Sequence, residues 1–475
     1  MNSKFFKKQK ETKMNRKNLF FVYASCVVLL MASACEETKP EPEPETPPID
    51  ASVTTVEGDI TGNTTWKSTN KILLKGFVYV VDGATLTIEA GTVIKGDKNT
   101  KATLIIEPGG KIMAEGTKTN PIIFTSNQAA GQRDYGDWGG IIICGKADVN
   151  PPSQMTIEGG PRTKYGKGAG FTINNDDNSG VLKYVRVEFA GIEYATDNEI
   201  NGITFGGVGR GTTIDYVQVS YCGDDSYEWF GGTVNCKHLI AFRGWDDEFD
   251  TDNGFSGKLQ FVLGLRDPNV ADKSKSNGFE SDNDAGGSSN QPYTKPVFSN
   301  ASMFGPYSTT SNITTPTGGN GTFQASMHLR RSTKLNVYNS VFAGWPEGLY
   351  VDGAAGDAQT HATNGELMVK NCILSGMLKN YHAAFDSTYF NRQSGSNSVY
   401  AQNSELKIQD PFNLHNPKFT LQSGSPLAGK SNLFSDAPLQ DAFFDRSVNY
   451  IGAFGTEDWT SGWANFDPQN ATYKW

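Results

Sequence analysis

Cysteine, basic charge, long apolar runs and helical periodicity are all scarce in this chain, and each shortage removes a class of protein. Six of the 475 residues are cysteine. Cys26 lies in an N-terminal apolar stretch and Cys35 directly follows it, which leaves Cys144, Cys222, Cys236 and Cys372. Their spacing makes no disulfide framework and suits small buried core residues, with a Cys222 to Cys236 bridge as the alternative. The chain carries 42 Lys and Arg against 51 Asp and Glu. Nucleic acid and anionic membrane surfaces are therefore poor partners. The apolar run from Leu19 to Ala34 is too short to cross a bilayer comfortably. Further along, apolar residues alternate with polar ones and no helical period intervenes, so the repeats are not βαβ units.

At the N-terminus, Lys4, Lys7, Lys8, Lys10, Lys13, Arg16 and Lys17 precede the apolar run, and Ala32, Ser33 and Ala34 stand directly before Cys35. Residues 1–34 read as a signal peptide, and the small residues before the cysteine resemble the lipobox of bacterial lipoproteins. Cys35 is then the acylated first residue, anchored in outer-membrane lipid. Removing residues 1–34 takes away seven basic residues and one acid, Glu11, leaving 35 basic and 50 acidic residues and a net charge of −15. Residues 35–51, where Pro alternates with Glu between Lys39 and Pro48, form a flexible tether extending roughly 3 Å per residue. Acids directly after the lipidated cysteine resemble the surface-export signal of Bacteroidetes-type lipoproteins.

The body, residues 52–475, is read as one domain. The whole chain has 52 Gly, 8 Trp, 18 Tyr and 28 Phe, which suits many short strands joined by turns. Ala84 to Gly96 and Ala102 to Ile112 are alike at an offset of 18, each with alternating apolar residues and a turn through Ala90-Gly91 or Pro108-Gly109. Val217, Leu239 and Phe261 recur every 22 residues inside short strands. Later copies begin at Asn300, Asn339 and Asn371, whose amides are expected to stack as a ladder at about 4.8 Å per coil. These offsets disfavour a propeller, whose repeats run to about 40 residues. The expected fold is all-β, a right-handed parallel β-helix with capped ends: N-terminal coils over 52–130, main coils with loops over 131–440, and an aromatic C-terminal cap over 441–475.

Chemistry concentrates in two turns. Residues 223–230 read Gly-Asp-Asp-Ser-Tyr-Glu-Trp-Phe and residues 245–252 read Trp-Asp-Asp-Glu-Phe-Asp-Thr-Asp. At the offset of 22, Asp224 matches Asp246, Asp225 matches Asp247 and Glu228 matches Asp250. A third copy, Phe279-Glu280-Ser281-Asp282-Asn283, matches Phe249 to Asn253 at an offset of 30. Glu228, Asp250 and Glu280 are expected in one column and Asp252 with Asp282 in another. Like charges about 5 Å apart cost on the order of 3 kcal/mol per pair at an effective dielectric of 20. Solvent exposure, a shared proton, Arg pairing or a hard cation would relieve them. The favoured remedy is a calcium site built from Asp224, Asp225, Glu228, Asp246, Asp247, Asp250, Asp252, Glu280 and Asp282. Arg210, Arg243 and Arg266 are the candidate organic counter-ions.

Two enzymatic readings use the same residues. Pectate-lyase-like β-helices hold an acidic sugar through calcium and remove a proton with a basic residue, for which Arg243, His238, His328, Arg330 and Arg331 are candidates. Polygalacturonase-like β-helices hydrolyse with aspartates, and Gly223-Asp224-Asp225 resembles part of their pattern. An inverting pair needs carboxyl groups about 6.5–9.5 Å apart, which Asp224 or Asp225 with Asp246 or Asp247 could provide. The chain lacks the Gly-His-Gly and Arg-Ile-Lys pieces that complete that pattern. Tyr227, Trp229, Trp245 and Phe249 are candidates for stacking on sugar rings, with alternation aiming Tyr227 and Trp229 to one side and Glu228 and Phe230 to the other.

Gly83 to Ser126, Glu228 to Asn235, Asp247 to Gly254, Asn277 to Asp284 and Gly462 to Pro468 together resemble the right-handed β-helix lipoproteins of Bacteroidetes-type bacteria. The resemblance implies a pectin-lyase-like fold and an envelope location, and little about activity. The expectation is a lipoprotein of the outer membrane, facing outward, that captures an extracellular polysaccharide or glycoconjugate with calcium, with an outer-membrane transporter as a further candidate partner. A calcium-dependent lyase or glycoside hydrolase is the alternative, and an adhesin or structural envelope protein the second.

Overall fold

The computed structural model describes residues 53–475 except 196–197, 312–315, 317, 320, 393–395 and 474. The expected signal peptide, Cys35 and the expected tether lie outside the described residues. Twenty-six strands join through parallel pairings into one wound sheet. The chain turns through three faces per coil, a right-handed parallel β-helix. In the middle coils, Thr213–Ser220 supplies the first face with its first half and the second face with its second half, and Tyr227–Gly232 supplies the third. The next coil repeats this with Asn235–Phe242 and Phe249–Asp252.

Alternation decides which side chains fill the interior. On the third face Val78, Leu104, Ile141, Ile203, Tyr227, Phe249, Phe279, Met327 and Leu349 pair in sequence and all are buried. Each such side chain contributes roughly 1.5–3 kcal/mol of burial. Cys144, Cys222, Cys236 and Cys372 are free and buried, so Cys222 and Cys236 form no bridge.

The corner between the first and second faces is made by one residue in the left-handed region in each coil. Tyr184, Tyr216, His238, Phe261, Asn300, Asn339 and Asn371 have φ between 50° and 60°. Asparagine tolerates this conformation best, and the expected amide ladder forms here: Asn371 donates to Asn339 at 3.1 Å, and Ser299 links Asn339 to Asn300. In the earlier coils ring stacking takes its place, at centroid separations of 4.5 Å for Tyr184–Tyr216, 4.1 Å for Tyr216–His238 and 5.1 Å for His238–Phe261.

Three expectations need correction. Leu239 stacks on Val262 rather than Phe261, because one more residue separates these strands and Phe261 falls at the corner. The likeness at an offset of 18 does not mark one coil. Leu86 pairs with Ile112 and Val78 with Leu104, a coil of 26 residues, so the two similar stretches lie on different faces. Every face uses the same alternating strand and glycine turn, which makes neighbours within a coil resemble each other. The aromatic C-terminus is also not an end cap. Residues 433–475 run back along the outside of the solenoid: Asn339 donates to Leu433 O, Gln260 to Asp445 O, Gln218 to Asn465 O and Arg133 to Pro468 O. Phe454 and Trp463 bury themselves with Phe242, Leu265 and Phe304 of the second face. The end itself is covered by a helix over Ala384–Arg392, whose Tyr389 and Phe390 join the core. Asp386 of that helix accepts from Val351 N at 2.8 Å, where Glu347–Val351 runs on beyond its pairing with Lys379–Tyr381.

Candidate acidic cleft

Because Tyr227 and Phe249 point inward, the residues after them must point outward. Glu228 pairs with Asp250 and Asp250 with Glu280, giving the expected column, and His328 and Tyr350 continue it. Asp252 lies one position beyond the Thr251 to Ser281 pairing, which places it in line with Asp282. The turns ahead of the strands stack likewise: Asp247 N donates to Asp225 Oδ1 at 2.8 Å, and Asn277 N donates to Asp247 Oδ1.

These turns line a cleft of about 630 Å³ that also takes in Glu158, Glu193, Glu199, Asn201, Asp272 and Tyr135. None of those six was marked by the repeats. Asn201 stands two residues ahead of Ile203 as Asp225 does ahead of Tyr227, and the other five stand on segments outside the wound sheet, where no register points to them. Eight carboxylates face the cleft against Lys101 and Lys273. Trp245 lines it, meeting Tyr135 edge-on at 5.5 Å. Beneath the turn, fully buried Arg266 pairs with Glu248 at 2.8 Å and donates to Trp245 O at 2.7 Å.

The acids fall into three groups whose oxygens lie within 4.8 Å of one another: Asp224, Asp225 and Asp246; Asp225, Glu228 and Asp250; Asp247, Asp250 and Glu280. Burial and then neighbouring carboxylates push Asp224, Asp225, Glu228, Asp247, Asp250 and Asp252 well above the ordinary carboxylate range. Burial raises Asp246 and Glu280 to about 7. One oxygen each of Asp246 and Asp250 is buried without a hydrogen-bond partner. Oxygen-only groups of this kind have the donor chemistry of a hard cation, and these residues could hold one.

Arg pairing occurs, but with other residues than expected. Arg330 contacts Glu280 and binds Asp282 at 2.8 Å, and Arg331 binds Asp282 at 2.8 Å. Arg210 pairs with Asp176, Arg243 with Asp267 and Arg266 with Glu248, so none of these three serves the columns. Arg243 binds Tyr221 Oη as well and does not line the cleft. His238 sits at the corner of the first and second faces. Burial lowers His328 to about 4, with Arg330 adding to the effect, so its imidazole is neutral. Of the proposed stacking residues, Tyr227, Trp229 and Phe249 are fully buried and offer sugar no face; Trp245 alone reaches the cleft. Within the first acid group the oxygens lie closer than an inverting pair requires.

With fold and cleft in view, the family follows. Residues 58–411 match the pectate-lyase-like β-helix domain family, and the chain belongs to it. No curated protein and no solved structure matches the chain. Membership points to a carbohydrate-related function.

Proposed function

We propose that this chain is an outer-membrane lipoprotein, anchored through acylated Cys35 and facing outward, that captures an extracellular polysaccharide or glycoconjugate in the acidic cleft with calcium held by its carboxylates. In this reading the bound glycan passes to an outer-membrane transporter. One observation carries it: the carboxylates of Asp224, Asp225, Glu228 and Asp246 line an open cleft, with Asp250 grouped against Asp225 and Glu228, and among the described residues no arginine pairs with any of these five carboxylates, while their neighbours Glu280 and Asp282 have two. A cation supplies the missing charge, and its remaining coordination positions are free for ligand oxygens.

Thermal unfolding after chelation and again with calcium tests this, since a site present only in the folded state raises stability by RT ln(1 + [L]/Kd). A rise that Asp250→Asn abolishes is expected; no rise in the wild-type chain sinks the cation reading. A lyase is the second reading, favoured by neutral His328 within 3.2 Å of Glu280 beside Arg330. It requires an unsaturated product, visible by ultraviolet absorbance, from an acidic glycan.

A further inference from the structure

The seam between the C-terminal segment and the corner column is closed in some coils and open in others. At Asn300 and Asn339 the corner amides donate to strap carbonyls: Asn300 to Tyr450 O at 3.0 Å and Gly452 O at 3.2 Å, Asn339 to Leu433 O at 3.0 Å. At Tyr216, His238 and Phe261 the corner carries rings, and the strap stands off to leave a cavity of about 420 Å³. Its margins are pinned. Gln260 exchanges two hydrogen bonds with Asp445, at 2.9 and 2.7 Å, and Gln218 two with Asn465, both at 2.8 Å.

His238 is held rigidly at this opening. Its ring lies between Tyr216 and Phe261, and Nδ1 bonds Asp215 at 2.8 Å. Nε2 has no hydrogen-bond partner among the described residues, and His238 is a residue of the cavity lining. Around it stand Asp445, Ser447, Asn449, Thr456 and Glu457. Tyr216, His238 and Phe261 stack on one another, and Trp459 packs steeply against Tyr216 and His238 while lying parallel to Phe454 at 5.1 Å. The cavity thus has an apolar floor and a rim of hydroxyl, amide and carboxylate groups, which suits a small polyol bound by hydrogen bonds. No Lys or Arg lines it, and the carboxylates of Asp445 and Glu457 would repel an acidic sugar.

We infer that this cavity is a second glycan site, separate from the acidic cleft, which binds one neutral hexose residue through His238 Nε2 and the carboxylates of Asp445 and Glu457. Binding here needs no cation. The volume falls within the range of ligand pockets, about 300–1,000 Å³, and admits a single sugar ring.

Titration calorimetry of the full-length chain in detergent micelles with chelator present, using tetraoses of glucose, galactose and mannose, tests the site. At least one tetraose is expected to bind. His238→Phe, which keeps the ring stack, should weaken that binding about tenfold, and Glu457→Gln, on the exposed rim, by a few fold. Asp250→Asn should leave it unchanged. The inference is overturned if no tetraose binds, if both H238F and E457Q bind as the wild type does, or if D250N removes binding and so places it in the cleft. The calcium site of the cleft is tested separately, by the unfolding experiment.

Discussion

Glu228 and Glu280 occupy the same column, each one coil from Asp250, yet they live in different electrostatic worlds. Glu280 contacts Arg330 and lies 3.2 Å from His328. Glu228 accepts a hydrogen bond from Asn201 and otherwise faces carboxylates. In-register stacking repeats whatever charge a turn carries, so the repulsion is imposed by the fold itself. The chain cancels that repulsion at one end with arginines from the following coil and leaves it standing where the surface opens into a cleft. Stability alone would favour cancelling both.

The largest expected effect comes from erasing the neutralised end. Arg330→Met leaves Glu280 and Asp282 without a shared partner, and loss of one member of a buried pair costs about 3–5 kcal/mol; urea unfolding at neutral pH measures it. Asp250→Asn should do the reverse in the absence of metal. It removes the central like charge and should stabilise by about 1–3 kcal/mol, given pair terms of order 3 kcal/mol reduced by partial protonation. If D250N destabilises the metal-free chain instead, the repulsion is not what distinguishes the open end.

A pH series sharpens the contrast. Asp246 and Glu280, at about 7, bind protons in the folded state that their unfolded forms release near pH 4. Their contribution is therefore complete below about pH 4 and is lost as pH rises toward 7. Metal-free stability should fall across that window, and saturating calcium should flatten the fall. A metal-free chain that gains stability between pH 4 and 7 would contradict the raised carboxylates. The smallest effect is expected at Lys273, exposed at the cleft rim: Lys273→Ala should change stability by less than about 0.5 kcal/mol while tightening calcium binding slightly in fluorescence titrations.

Much of this was legible in the sequence because repetition and alternation are local. The offsets of 22 and 30 aligned Glu228, Asp250 and Glu280 before any coordinate, and the turn glycines with alternating apolar residues marked a β-helix. What stayed hidden was non-local. The sequence around Leu86 and Leu104 looks the same on any face, so it misstated the coil length. Glu158 and Glu199 reach the cleft from insertions that follow no repeat. Arg330 and Arg331 follow Glu280 by about fifty residues because a long loop intervenes, and proximity in sequence favoured Arg243 and Arg266 instead. The rings of Tyr227, Trp229 and Phe249 looked like a platform because aromatic richness near acids reads the same whether the rings face in or out.

A solenoid held only by contacts between adjacent coils can fray from either end, like a stack of coins. The returning strand of chain changes that mechanical character. Trp475, the last residue, lies 4.1 Å from Lys95 of an early coil, and Arg133 and Gln469 bond each other's segments between them. Distant coils are thereby bolted to one rod, so unfolding should be all-or-none, and the body can lock only after its final residues have arrived. Under the proposed export, that order would keep the polymer loose in transit and rigid at its destination.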